Sequence, residues 1–381
     1  MSNTVCDREL CCGCAACEAI CPKNAITIKD EIQYTESVIN DAQCIGCNLC
    51  KKVCPSCSEP VFMEPMQWYQ GWSEDSALRK KSSSGGLAQS ISRQFVENGG
   101  YVCSCLFEGG DFVYKLTHLL EDIEKFRGSK YVKSNPKDCY KSILNILKEN
   151  DNKVLFIGLP CHAAAVKNYV GSKYDKNLYT IDLICHGTPS VKLLEKFLAE
   201  HDIDIKEINE IRFRHKGMIE VPEEHLIEAP GVMDEYSIAF LDSICYTSNC
   251  YQCKFAKSKR ISDITLGDSW GSELSEEAGK GISLILCQTD KGKRLLDACN
   301  LELHPVDIMR AIEFNNQLRE PSARPLFLDR LFSDIKDGKT VRAVVFKYCR
   351  KKYIKWRIKK ILYKLRIKRP GTGGRTISVR K

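Results

Sequence analysis

Two copies of the run C-x-x-C-x-x-C-x-x-x-C-P follow one another near the start of the chain. The first is Cys11, Cys14, Cys17 and Cys21 before Pro22; the second is Cys44, Cys47, Cys50 and Cys54 before Pro55. Three thiolates at this spacing wrap one turn of backbone around the corner of an iron-sulfur cube, and the fourth, after a longer step, points away toward a second cube. The pattern predicts two 4Fe-4S clusters with crossed ligands: Cys11, Cys14 and Cys17 with Cys54, and Cys44, Cys47 and Cys50 with Cys21. Zinc sites take four ligands, usually as two C-x-x-C pairs, and do not call for this doubled pattern. A disulfide framework needs an oxidising compartment, and the opening MSNTVCDREL lacks the apolar core of a secretory signal. Cys6, Cys12 and Cys57 stand outside the pattern and are expected to be dispensable.

Further along, single signals are less specific. Ser82-Ser83-Ser84-Gly85-Gly86-Leu87 opens a helical pattern, and free N–H groups at a helix start suit an anion such as a phosphate, although Ser and Gly are also common helix caps. Gly158-Leu159-Pro160-Cys161-His162 and Cys185-His186-Gly187-Thr188-Pro189-Ser190 each place Cys, His, Gly and Pro at a strand-to-helix turn, where side chains can converge on one pocket. Cys250 and Cys253 have ligand spacing without a local second pair. His162 and His186 stand where an imidazole, titrating near neutral pH, could move a proton; His186 is the catalytic candidate.

The elements that must position these residues are legible from periodicity. AITIKD and EIQYTES alternate apolar and polar residues between the cysteine runs, as short strands do. The cysteine unit closes near Pro60 to Pro65, and residues 58–75 read as a linker with aromatic anchors. Beyond a helix over 87–96, strands at 101–107, 153–158 and 178–185 alternate with helices at 136–150, 162–170 and 190–201. This order predicts a largely parallel sheet with sites at its strand ends. Strands at 210–215, 225–229 and 282–288 and a helix near 236–246 follow. The expected fold class is α+β (mixed α/β): a small ferredoxin-like two-cluster domain (1–65), a larger α/β domain (66–340) and a basic helical tail (341–381).

Composition bounds the setting. The 22 cysteines include too many free thiols for an oxidising compartment, so a reducing cytoplasm is expected. The formal charge of +8 resides in the end of the chain: residues 342–381 hold 16 Lys and Arg and no acid, while the rest has 41 basic against 49 acidic side chains. No apolar run approaches the length of a membrane span. From Phe346 to Arg369, Ile354, Ile358, Ile361, Leu362 and Leu365 share one helical face, with Trp356 and Tyr363 nearby, and Pro370, Gly371, Gly373 and Gly374 end the pattern. This predicts a basic amphipathic helix lying on the anionic inner face of a membrane. An acidic protein is the alternative partner. Nucleic acid is not expected, since no reading module surrounds these charges and the rest of the chain is acidic.

Taken together, the paired cysteine runs, SSSGGLAQSI (82–91), FRGSKYVKS (126–134), GLPCHAAA (158–165), ICHGTPS (184–190), IRFRHKG (211–217) and CYQCKFAKSKRISDITLGDSWG (250–271) resemble the coenzyme F420 hydrogenase/dehydrogenase beta-subunit family. The resemblance implies an iron-sulfur flavoprotein oxidoreductase that binds FAD and exchanges electrons between ferredoxin, NAD(P)H or coenzyme F420 and a small-molecule substrate. It implies a third 4Fe-4S cluster on Cys250 and Cys253, with Cys161 and Cys185 as the expected remaining ligands. FAD is then expected against Ser84, Gly85, Gly86 and Leu87, with Ser129, Lys130 and Tyr131 closing over it. The variant with FRGSKY, FRHKG and GDSWG looks like a bacterial branch often found with polysaccharide-synthesis proteins. A rival reading is an electron-transfer subunit whose catalytic partner is another polypeptide; a scaffold with purely structural clusters ranks last.

Overall fold

The structure is a computed structural model that describes residues 3–149, 151–216, 225–367 and 375–380. Gly217 of the IRFRHKG run and residues 368–374, which include Pro370, Gly371, Gly373 and Gly374, lie outside the described residues.

Strands β1 (Ile26–Asp30) and β2 (Thr35–Ile39) pair antiparallel with Ile26 opposite Ile39. They separate two cysteine loops that repeat each other in backbone as well as sequence. Gly13 and Gly46 take φ 68 and 67, and Ala15 and Asn48, both at φ 57, lead into the short helices Ala16–Ile20 and Leu49–Val53. Left-handed residues turn each loop tightly enough for successive thiols to face one side.

In chain order come β3 (Gln67–Ser73), β4 (Tyr101–Glu108), β5 (Asp111–Thr117), β6 (Val154–Gly158), β7 (Leu178–Leu183), β8 (Glu210–Arg212), β9 (His225–Leu226), β10 (Ile264–Asp268), β11 (Ser283–Cys287), β12 (Leu301–Pro305) and β13 (Ser378–Arg380). Eight of them form one sheet in the order β12-β3-β11-β10-β7-β6-β4-β5. Its centre, β10, β7, β6 and β4, is parallel; antiparallel strands flank it on both sides. Every residue of β6 is buried, as befits a parallel strand covered on both faces. Leu155 and Ile157 pack with Leu87 and Ile91 of the helix Leu87–Glu97, whereas Val154 and Phe156 face Ala163 and Val166 of the helix Pro160–Val170.

Two expectations change. The stretch 58–75 is not merely a linker: its second half is β3, hydrogen-bonded between β11 and β12. Gly71 lies so close to β12 that an added Cβ would sit 2.1 Å from the Glu302 carbonyl oxygen. The antiparallel partners that make QWYQGWS a strand arrive more than 200 residues later, so local sequence does not announce them. The basic stretch, likewise, does not stand apart. Val341, Val344, Val345 and Tyr353, from the helices Val341–Tyr348 and Arg350–Lys364, and Cys349 between them join one core with Phe197, Tyr236 and Phe332. β13 then enters a three-stranded sheet as its central strand, between β8 and β9. Part of the positive charge is neutralised internally: Arg357 pairs with the buried Glu228 and Glu235, and Lys360 with Glu228 at 2.7 Å. Ile354, Ile358, Ile361 and Leu365 remain on the outer face, 39, 52, 55 and 62% exposed.

Candidate functional site

The cysteine unit is asymmetrically buried. Cys11, Cys14, Cys17 and Cys54 are each 6% exposed, and the structure brings them together: burial, then the charges of Cys11 and Cys54, push the Cys17 thiol up. Cys50 has Cys47 and Cys44 beside it, and both of those are exposed. Cys21, half-buried, accepts a bond from the Ala25 N–H at 3.3 Å. The second cysteine loop thus faces solvent while the first faces the large sheet. Side chains hold the first loop by its carbonyls: Thr35 Oγ1 donates to Cys11 O (2.7 Å), Lys133 Nζ to Cys12 O (3.0 Å) and Tyr140 OH to Cys14 O (2.7 Å). Two of those three donors belong to the large domain, so its packing fixes the loop.

The turns after β6 and β7 and the 3-10 turn Ser248–Gln252 converge on a cavity of about 180 Å³ lined by Cys161, Cys185, Cys250 and Cys253. Cys161 and Cys185 follow the C-terminal ends of neighbouring parallel strands, the place where such sheets gather ligands. Burial, then the charges of Cys250 and Cys253, push Cys185 up to about 12, and burial with Cys250 pushes Cys253 up to about 11. Thiols so crowded cannot ionise together unless something cationic lies among them. Metal ligation requires the thiolate, so an iron-sulfur core is an occupant this donor set fits. Among the described residues no three His, Cys, Asp or Glu close on a point that would hold a single metal ion.

A fifth thiol lines the same cavity. Cys12 is 7% exposed and within hydrogen-bonding reach of both Cys14 and Cys161, so it forms the wall between the first cysteine set and the cavity. Cys6 similarly reaches Cys11 and Cys54, and Cys57, also within reach of Cys54, donates to Val5 O at 3.4 Å. Adjacency to ligand positions was the only sign of Cys12 in the sequence.

His186 opens from this cavity toward a second group of side chains. Burial first, then the charge of Arg375, lowers its pKa, against the opposing pull of Asp268. Arg214 pairs with Asp268 at 2.7 Å and is within hydrogen-bonding reach of Tyr131. The guanidinium groups of Arg214 and Arg375 stand 5.3 and 5.6 Å from the Trp270 ring centroid. A planar anionic group would meet aromatic and cationic partners here. Arg214, Asp268, Trp270 and Arg375 carried no signal alone; FRHKG and GDSWG marked the segments, and folding brought Arg375 to them.

His162 is fully buried, its Nδ1 3.1 Å from Tyr114 OH, and burial lowers its pKa to about 4. It therefore stays neutral beside Cys12. The glycine run lies elsewhere, between β3 and β11. The Gly85 N–H donates to Ser283 Oγ (3.0 Å), the Ser84 hydroxyl donates to Ile282 O (2.9 Å) and Leu87 is 1% exposed. A Cβ on Gly85 would lie 2.4 Å from Gly71 O. The Ser129 N–H donates to Ser83 Oγ at 2.9 Å, so the two expected FAD segments do meet. Lys130 is turned inward, bonded to Phe126 O and Arg127 O, and burial lowers it to about 8. Tyr131 stacks on Phe240 at 4.2 Å. Beside this junction, along the helix Leu87–Glu97, a cavity of about 230 Å³ is lined by Lys81, Arg93 and Arg127 together with Asp75 and Glu124, and Glu124 pairs with both arginines.

Residues 151–307 match the family model for the C terminus of the coenzyme F420 hydrogenase/dehydrogenase beta subunit, and residues 10–57 match the 4Fe-4S dicluster domain. Over residues 151–307 the chain is similar to the C-terminal region of that beta subunit, behind its 4Fe-4S dicluster domain. Similar to it is the F subunit of the F(420)H(2) dehydrogenase of Methanosarcina mazei, 24% identical over 78% of this chain and 85% of that protein. The coenzyme F420-dependent sulfite reductase of Methanocaldococcus jannaschii is 22% identical over 84% of this chain, which spans about half, 52%, of that protein. Among solved structures, a chain of the F420-reducing [NiFe] hydrogenase complex from Methanosarcina barkeri matches with a TM-score of 0.44 and 18% identity, covering 68% of this chain and 93% of that one. The chain is thus an iron-sulfur protein with oxidoreductase relatives, and its dicluster domain precedes the matched C-terminal region.

Proposed function

We propose that this chain moves electrons between its exposed face and a flavin held beside His186, through three successive cysteine-ligated positions, to reduce or oxidise a small organic substrate. The observation that carries this reading is the continuous arrangement from the exposed Cys44 and Cys47, through the buried set with Cys11, to the four-cysteine cavity that shares Cys12 as a wall. Bound at these positions, 4Fe-4S clusters would supply one-electron steps and FAD the conversion to two-electron chemistry.

The residues of the chain have separable tasks. Cys11, Cys14, Cys17 and Cys54 hold one cluster, Cys44, Cys47, Cys50 and Cys21 another, and Cys161, Cys185, Cys250 and Cys253 a third. Arg214, Arg375 and Trp270 orient a planar anionic ring. His186, depressed in pKa, accepts or returns a proton at its imidazole. For the FAD phosphates, Lys81 offers positive charge beside the helix Leu87–Glu97, together with Arg93 and Arg127, which pair with Glu124 of the same cavity; the Gly85 N–H is already bonded within the protein. Replacing Gly85 would disturb β3 itself, so the informative variant is Lys81→Glu with Arg127→Glu. It is expected to lose most of its extractable flavin at unchanged iron content; full retention of flavin would move the phosphates elsewhere.

Anaerobically purified protein should hold about twelve irons, and changing Cys161, Cys185, Cys250 and Cys253 together to Ser should lower this to about eight. An unchanged iron count in that variant ends the third-cluster reading. A donor screen with NADH, NADPH, reduced ferredoxin and coenzyme F420 then identifies the redox partner, and sugar nucleotides belong in the substrate screen because of the polysaccharide-linked resemblance.

A second reading is favoured by the M. mazei relative, which is one subunit of a dehydrogenase: this chain passes electrons to a separate catalytic polypeptide. Turnover of an organic substrate by the purified single chain with a chemical reductant separates the two.

No helix among the described residues is long and apolar enough to cross a membrane. For the exposed stripe Ile354, Ile358, Ile361 and Leu365, flanked by lysines, we propose peripheral attachment to an anionic cytoplasmic membrane face. Ile354→Ser, Ile358→Ser and Ile361→Ser combined should abolish sedimentation with anionic liposomes at low salt. Should the unmodified protein stay in the supernatant, the attachment does not exist.

A further inference from the structure

The residue that joins the buried first cysteine set to the four-cysteine cavity is a lysine. Lys133 lies between β5 and the helix Cys139–Lys148, its N–H donating to Pro189 O at 2.9 Å. Its stem crosses Gly13, where an added Cβ would come within 3.1 Å of Lys133 Cδ. It is 7% exposed and lines the four-cysteine cavity. Nζ donates one hydrogen bond, to Cys12 O, and among the described residues no carboxylate lies within ion-pair distance of it. The charges that bear on it are the sulfurs of Cys250, Cys12, Cys161 and Cys11. A buried ammonium is costly unless an anion stands opposite. Here the anions come from both cysteine sets at once.

We propose that Lys133 is the shared counter-charge of the two inner clusters, placed by the Cys12 carbonyl so that it favours the more reduced, more negative state of the one held by Cys161, Cys185, Cys250 and Cys253. A cube with four thiolates is already anionic, and each added electron makes it more so; charge and hydrogen bonding around the sulfurs set its potential. Lys133 is therefore a positioning residue for electron energy and touches no substrate. The inference rests on the third-cluster reading above and deepens it.

The test is a potentiometric titration followed by electron paramagnetic resonance on the anaerobically purified full chain, with iron counted in the same samples. Lys133→Met should shift the reduction equilibrium of the inner cluster toward the oxidised form at least tenfold, about 59 mV for one electron. Lys133→Arg should restore most of the shift, and Lys137→Met, which removes a surface charge paired with Glu18 at 2.8 Å, should leave it unmoved. If Lys133→Met sheds iron, Lys133→Gln, which keeps a donor for Cys12 O without the charge, carries the same measurement. Full iron with an unshifted potential in the uncharged variants overturns the role of Lys133. A wild-type protein with only about eight irons overturns instead the third-cluster reading beneath it.

Discussion

Deleting residues 342–381 is expected to give protein that does not fold, rather than a soluble enzyme freed from a tail. The deletion removes Val344, Val345, Cys349, Tyr353, Ile377 and Val379, all buried. At roughly 1.5–3 kcal/mol for a large apolar side chain, their loss alone reaches about 10 kcal/mol, the scale of a whole domain's stability. It also strips Glu228 and Glu235 of Arg357 and Lys360, and a buried charge left unpaired costs about 3–5 kcal/mol. β8 and β9 lose the strand between them. Circular dichroism and the soluble fraction on expression read the outcome. The control is the triple Ile354, Ile358 and Ile361 variant, which changes only exposed side chains and should melt as wild type does. A soluble deletion protein with wild-type helix content would show that the end of the chain is an appendage after all.

Removing Arg260 should destabilise the large domain by about 3–5 kcal/mol and, on the third-cluster proposal, empty its four-cysteine cavity of iron. Arg260 is 2% exposed and pairs with the fully buried Asp182 at 2.7 Å. Its other donors bond Phe255 O (2.7 Å) and Leu183 O (3.0 Å). Phe255 follows Cys253 by two residues, and Leu183 precedes Cys185 by two, so one guanidinium splints both cysteine segments. Arg260→Met leaves Asp182 buried without its partner, the costly case for such a pair. Arg260→Met with Asp182→Leu should recover part of the stability, because no unpaired charge remains. Chemical denaturation and iron counting give the answer: about four irons lost from Arg260→Met, with the dicluster unit intact, is the expected result. Wild-type stability and iron content in that variant would remove Arg260 from this role.

Local chemistry made much of the site readable in advance. Cluster-ligand spacing repeats within eleven residues, and a strand or helix announces itself by its period, so the dicluster unit and the β4–β6–β7 core with its helices stand in the sequence plainly. Cys161 and Cys185 were legible as strand-end residues because turns after parallel strands are fixed by the strands themselves. The partners of β3 and the neighbours of the basic helix were not, since each is supplied by chain hundreds of residues away or by carboxylates whose burial no local pattern reveals.

The sequence by itself therefore determined a doubled cysteine spacing that matches a 4Fe-4S dicluster domain, and that a mixed α/β domain follows it. Only the tertiary structure decided that one cysteine loop faces solvent and the other the sheet, that Cys12 and Lys133 occupy the partition between two thiol sets, and that Arg375 returns from the end of the chain to Trp270. The physical reason is range. Ligand spacing and periodicity act over a few residues, whereas burial, counter-charge and the meeting of strand ends depend on contacts that exist only once the whole core has closed.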